Sequence, residues 1–500
     1  MSLKRKTWSA LLLASLFALP ALAAAADPQK AIHPSRQKLK PCKVPGDNGE
    51  VDAFCGTYEV WENRATKAGR KIGLNIIVIP ARSKTPKPDP IFFFAGGPGQ
   101  AASSLTDYRT DMDLRQDRDF VYVDQRGTGG TQRFLCSLGG KEGDLQSWLG
   151  EMFPVEAVKA CRDELSKNAD LTLYTTDIAM DDVDEVRAWL GYGKINLDGT
   201  SYGTRAAQTY LRRHPESVRT VTLWGAVPMD ENLPISHAAG GQRSLDILLG
   251  WCEKDAACRG KFPDPRGDFK KVMARIDQGP VTVELKDQST GKPTTVQVPK
   301  TVMIDGIRWT LYNAQTGAML PLFFHEAANG NFIPLAQASV LTRVMMVREL
   351  ALGLLFSVTC AEDIPYIDPA SVPARTAGSF LGDDRVRQQM GACSVWPRAK
   401  AAPGHQEAVR SDVPILIVNG ERDPVTPPDF GKRVARSYPN AVQVVIPYGG
   451  HSGHDPCVDE IEEELIQKGT TKGLDTSCVA KIRMEPFLLE LPKPGEGPFG

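Results

Sequence analysis

Gly199-Thr200-Ser201-Tyr202-Gly203 is the stretch of this 500-residue chain whose residue types best suit covalent chemistry. Small residues surround Ser201 between an apolar run and a helix-like run. In that context a sharp strand-to-helix turn holds a serine hydroxyl outward at a helix N-terminus, where developing negative charge is favoured. A serine hydroxyl is a weak nucleophile until a base takes its proton and an acid orients the base. Downstream, the apolar run Pro414–Val418 leads into Asn419-Gly420-Glu421-Arg422-Asp423, and Ala441–Ile446 leads through Tyr448-Gly449-Gly450 to His451. Asp423 is therefore the expected orienting acid and His451 the expected base, each just past the carboxyl end of a strand, where function collects in such sheets. His454 is the rival base; His451 is preferred because it directly follows the strand and its glycine pair. The other histidines (His33, His214, His237, His325 and His405) fall in lead-in, helical or insertion segments, and no role is expected of them.

Attack on a carbonyl puts charge on an oxygen, which backbone N–H groups must meet. The N–H of Tyr202, immediately after the serine, is one expected donor. Gly97, in Ala95-Gly96-Gly97-Pro98-Gly99 after the apolar run Ile91–Phe94, is the other, because glycine lets backbone approach a substrate closely. No Gly-Lys-Ser/Thr follows that loop, so it does not read as a phosphate cradle. Nothing reads C-x-x-C and few histidines lie near the cysteines, so zinc is a weak alternative for them.

The elements that must hold these residues alternate. After a polar, proline-bearing lead-in, Gly56–Trp61, Lys71–Pro80, Ile91–Phe94, Phe120–Val123, Lys194–Asp198 and Thr220–Trp224 read as strands. Ile178, Val183, Val186 and Leu190 recur at helical spacing within 177–190, and a helix follows Ser201 to Arg213. Such alternation implies βαβ units, hence an α/β fold with a mainly parallel sheet flanked by helices. It lapses over Pro234–Lys400, which reads largely helical with one hairpin, Val281–Leu285 against Thr294–Val298. The expected plan is a signal segment (1–26), a first core part (27–228), a mostly helical lid insertion (229–405) and a second core part (406–500).

Fifty-nine Lys+Arg against 60 Asp+Glu give a formal net charge of -1, which offers no electrostatic case for nucleic acid or an anionic membrane. Lys4, Arg5 and Lys6, the apolar run Ala10–Leu22 and small residues up to Ala26 have the layout of a secretory signal peptide. Export to the periplasm or medium is expected, with no stable membrane insertion after cleavage. The even count of ten cysteines then favours disulfides. Spacing does not fix connectivity; sequential neighbours are the expectation, pairing Cys42 with Cys55, Cys136 with Cys161, Cys252 with Cys258, Cys360 with Cys393 and Cys457 with Cys478.

Taken in order, Ala95-Gly96-Gly97-Pro98-Gly99, Asp124-Gln125-Arg126-Gly127-Thr128-Gly129, Gly199-Thr200-Ser201-Tyr202-Gly203, Asp423-Pro424-Val425-Thr426-Pro427 and Gly450-His451 resemble the proline iminopeptidase and tripeptidyl aminopeptidase family of α/β-hydrolases. Many members carry His where this chain has Ala95. Secreted tripeptidyl-aminopeptidase-like members have cysteines resembling Cys252, Cys258 and Cys457. The resemblance implies a Ser201–Asp423–His451 triad, no cofactor, and release of residues from peptide N-termini. It also implies carboxylates near the lid that receive the free α-amino group, and Glu362 and Asp363 look like them. The expected function is an exported serine aminopeptidase taking a peptide with a free N-terminus. An esterase or amidase on the same triad and an inactive binding protein are the alternatives.

Overall fold

The structure is a computed structural model, which describes residues 37–491 except 111, 139, 288, 289, 452 and 454. The expected signal segment, His33 and His454 lie outside the described residues. Nine described strands form one sheet: β1 (Lys40–Gly46), β2 (Gly49–Trp61), β3 (Lys71–Ile79), β4 (Ile91–Phe94), β5 (Phe120–Val123), β6 (Ile195–Thr200), β7 (Val218–Trp224), β10 (Ile415–Gly420) and β11 (Ala441–Ile446). A separate antiparallel hairpin is made by β8 (Val281–Lys286) and β9 (Pro293–Val298).

The sheet runs β1-β2-β3-β5-β4-β6-β7-β10-β11. Pairings from β5 to β11 are parallel, and those among β1, β2, β3 and β5 are antiparallel. Every residue of β4, β5 and β10 is buried, as expected of parallel strands covered on both faces by helices. This is the α/β-hydrolase architecture expected from the alternation of elements. Residues 40–46 differ from the sequence reading, which left them in the lead-in. Pro41 and Pro45 removed the strand signal, yet β1 is an edge strand, where a missing N–H is tolerated.

The parallel order carries the carboxyl ends of β4, β6, β7, β10 and β11 to one side of the sheet. Between β7 and β10 the chain is helical apart from the hairpin. Its hydrophobic residues divide between two cores. Leu245, Leu248, Val272, Ile307, Phe324 and Leu335 pack with the hairpin in a core of their own, joined by Leu145 and Leu149. Leu352, Leu354, Phe356 and Val358 instead join the core of the main sheet. The helix Leu352–Glu362 is thus fastened to the catalytic half, and the backbone of Ala351 donates to Gly99 O at 3.0 Å. No single helix among the described residues is long and apolar enough to cross a membrane.

Ten cysteines form five disulfides, each between sequential neighbours: 42–55, 136–161, 252–258, 360–393 and 457–478. Cys42–Cys55 ties the edge strand β1 to β2, and Cys360–Cys393, which bears on the site, ties Leu352–Glu362 to the helix Asp384–Val395.

Candidate active site

Ser201 occupies the turn between β6 and the helix Tyr202–Arg213 with φ 57° and ψ -119°. A non-glycine residue at positive φ costs about 1–3 kcal/mol, so the surroundings must enforce it. They do so by close approach. A Cβ on Gly203 would lie 2.0 Å from Phe94 O, and one on Gly199 would lie 2.4 Å from Gly203 O. Only glycine fits at either place, and Ser201 N donates to Trp224 O at 2.8 Å. The serine lines a cavity together with Gly97, Tyr202, Thr426 and Tyr312.

Asp423 lies beyond the end of β10, fully buried, and His451 beyond β11. His451 Nδ1 is 2.8 Å from Asp423 Oδ2. The carboxylate also accepts the N–H groups of Val425 (2.8 Å) and Thr426 (2.7 Å) and the Thr426 hydroxyl (2.6 Å). Burial pushes the Asp423 carboxyl up, but the facing His451 and these hydrogen bonds outweigh it and hold the group below its ordinary value. Thr426 Oγ1 is also 2.9 Å from His451 Nδ1, so the ring nitrogen has two oxygens before it. The Tyr312 ring meets His451 edge-on at 4.8 Å between centroids. Gly225, at φ +65°, leaves room for this cluster: a Cβ there would stand 2.8 Å from Thr426 Oγ1 and 3.1 Å from His451 Cε1.

Gly97 and Tyr202 both line the cavity beside Ser201. The backbone of Gly96 lies against the serine, since a Cβ on it would be 3.4 Å from Ser201 Cβ. Gly97 itself has φ +109°, a conformation open to glycine.

The two carboxylates expected near the substrate part company. Asp363 lines the cavity, with Oδ1 accepting from Arg205 Nη1 (2.7 Å) and Leu233 N (3.0 Å). Glu362 lines a different cleft, with Asp177, Met229 and His405. Its carboxylate accepts from the backbone and hydroxyl of Thr176, at 2.7 and 2.8 Å. Thr176 Oγ1 in turn lies 2.8 Å from the Tyr202 hydroxyl. Burial, reinforced by the charge of Asp363 and opposed by the Thr176 bonds, pushes Glu362 up to about 7.

Asp124 and Arg126, from the motif that helped to carry the resemblance, build the scaffold. Arg126 is buried and makes paired bonds to Asp182 at 2.7 and 2.9 Å, while Asp124 accepts from Ser103 and Asn75. Several cavity residues have no role in the sequence analysis, among them Arg205, His237, Arg385 and Gln389. His237 opens the helix His237–Lys254, beyond the loop that follows β7. Its Nδ1 is buried without a hydrogen-bond partner. Burial first, then the charges of Arg308, Arg385 and His451, drive its ring well below the usual histidine range, so it is neutral.

With this geometry in place, comparison with known proteins is informative. A family model described as "alpha/beta hydrolase fold" matches residues 89–256, which include Ser201, and one described as "TAP-like protein" matches residues 378–478, which include Asp423 and His451. The fold is that of the α/β-hydrolases, and the second matched segment is TAP-like. The hydrolase is 24% identical to serine protease Hip1 of Mycobacterium tuberculosis over 89% of this chain and 90% of that one. It is 21% identical to tripeptidyl aminopeptidase of Streptomyces lividans, over 86% and 84% respectively. A 29% portion is 27% identical to 34% of proline iminopeptidase of Neisseria meningitidis. These relatives meet the resemblance read from the motifs.

Proposed function

We propose that the protein is an exported serine hydrolase that releases residues from peptide N-termini through an acyl-enzyme. The observation that carries this is the Asp423–His451 hydrogen bond at 2.8 Å, together with a cavity lined by Ser201 in a strained turn. In this reading His451 takes the Ser201 hydroxyl proton as the oxygen attacks the substrate carbonyl. Because Asp423 fixes Nδ1, Nε2 is the nitrogen left to do so. The N–H groups of Tyr202 and Gly97 receive the oxyanion. His451 then gives the proton to the leaving amine, and water, deprotonated by the same ring, hydrolyses the ester and frees Ser201.

Asp363 is the carboxylate suited to a substrate ammonium, since its Oδ1 takes both Arg205 and Leu233 and it faces the cavity. Five disulfides fit export, because such bonds persist in oxidising compartments. Relatives named as serine protease and tripeptidyl aminopeptidase support peptides over simple esters.

The test is hydrolysis of matched free and N-acetylated peptides, and of a small ester, by wild type and Ser201→Ala. Free peptides should be cleaved, acetylated ones spared, and the alanine variant slowed by several orders of magnitude. Retained turnover in Ser201→Ala would refute the nucleophile, and equal cleavage of acetylated peptides would refute N-terminal recognition.

A further inference from the structure

The side chains around the catalytic cavity are not electrically balanced. Its charged lining consists of Arg205, Asp363 and Arg385. Arg205 is spent: it bonds Asp363 at 2.7 Å and also donates to Glu231 O. Among the described residues no carboxylate makes an ion pair with Arg385. Nη1 donates to Gln389 Oε1 at 2.8 Å, and the guanidinium lies over the Phe153 ring at 4.8 Å. The acids nearest in charge have other partners. Asp305 holds Arg308 at 2.9 Å, and Asp384, which accepts from Gln388 at 2.6 Å, is shared in charge between Arg385 and Arg343. Burial and the neighbouring charge of Arg308 bring Arg385 down to about 10, the mark of a cation short of compensation.

Arg385 is also firmly held. Gln389, which receives it, donates through Nε2 to Thr359 Oγ1 at 2.8 Å, and Thr359 donates to Leu355 O at 2.6 Å. Leu355, Thr359 and Gln389 all line the cavity, and the Cys360–Cys393 disulfide clamps their two helices together. A guanidinium carries five donors in a rigid fork that matches a carboxylate. One donor engaged by an amide, on a braced side chain facing a nucleophile, leaves the fork for a ligand.

We propose that the catalytic cavity selects substrates carrying a carboxylate close to the scissile bond, and that Arg385, positioned by Gln389, is the specificity-determining residue. The carboxylate is either an acidic side chain or the free C-terminus of a short peptide. This rests on the reading of Ser201 as nucleophile, but binding can be measured apart from turnover.

The experiment compares kcat/KM for peptides with Glu or Gln at each position flanking the cut, each with a free or amidated C-terminus. Wild type, Arg385→Met, Arg385→Lys and the exposed same-helix control Arg387→Gln are assayed. Wild type should favour a carboxylate-bearing member over its amide by about tenfold or more, as for a charge-assisted pair. Arg385→Met should bring that ratio towards one, Arg385→Lys should keep part of it, and Arg387→Gln should keep it all. A Glu/Gln effect assigns the side chain; a free/amidated effect assigns the C-terminus. A wild-type ratio of one, or a ratio that Arg385→Met leaves intact, overturns the proposal. Should methionine prevent folding, the wild-type and lysine ratios still decide. Calorimetric binding of the same peptides to Ser201→Ala separates the two readings. A carboxylate preference in binding to Ser201→Ala, together with no cleavage of any of these peptides by wild type, upholds the anion site and sinks the hydrolase reading. Cleavage by wild type with no binding preference sinks the anion site alone.

Discussion

Two carboxylates near the catalytic cavity, buried Asp423 and half-buried Glu362, meet opposite fates. Asp423 stands on a loop of the sheet core, where two backbone N–H groups, a hydroxyl and an imidazole converge on it. It is held below its ordinary value. Glu362 ends a helix of the insertion and receives two donors, both from Thr176, with Asp363 adjacent. It is pushed up to about 7. Burial works in the same direction on both, so the difference lies in what faces them. At the turn after β10 an imidazole and three hydrogen-bond donors meet Asp423, whereas Glu362 has the two donors of Thr176, with the charge of Asp363 beside it opposing ionisation. The first environment keeps a permanent negative charge under His451. The second yields a carboxyl that changes charge near neutrality.

The sharpest way to break this contrast is Asp423→Asn. Asparagine keeps the shape but removes the charge and turns a donor towards His451 or towards the loop amides. A loss of about four orders of magnitude in kcat is expected, with the fold retained by circular dichroism. A loss below about tenfold would mean that His451 is oriented by something else.

Glu362→Gln tests the other side. With a folded value raised from 4.5 to about 7, the neutral form is the one that burial favours. The wild-type contribution is therefore full below about 4.5 and is lost as pH rises through about 7. At ~1.36 kcal/mol for each pH unit, the range from 4.5 to about 7 corresponds to about 3 kcal/mol. Urea unfolding of wild type at pH 5 and pH 8 should show that fall, and Glu362→Gln should show it reduced. Parallel curves for the two proteins would remove Glu362 as the titrating group.

The same contrast decides what could be read in advance. Ser201, Asp423 and His451 sit at strand ends marked by apolar runs and glycines, signals that are local in the chain. The mainly parallel sheet followed from the same alternation, although the order of its strands did not. Arg385 and Gln389 lie in Asp-Asp-Arg-Val-Arg-Gln-Gln, a run that looks like any solvated helix face. They become cavity residues through contacts with Thr359 and Phe153, distant in sequence. Neither position has a local mark. Glu362 and Asp363 show the finer version of that limit. Adjacent residues at a helix end were read together, but the chain turns there and only Asp363 faces the cavity.

Thr426 offers the smallest of these effects and the finest probe of the Asp423 side. Its hydroxyl donates to Asp423 Oδ2 at 2.6 Å, so its own oxygen lone pairs face His451 Nδ1 at 2.9 Å. The Nδ1 proton is thereby shared between the carboxylate and an oxygen polarised by it. Thr426→Val keeps the volume and removes both contacts. One hydrogen bond to a charged group contributes about 1.5–3 kcal/mol, so kcat should fall by about 10–100-fold, with the Michaelis constant much less affected. Thr426→Ser restores the hydroxyl and should recover most of the rate. If Val and Ser behave alike, the threonine only fills space beside Gly225. If Val falls as far as Asp423→Asn, the hydroxyl rather than the carboxylate sets the orientation of His451.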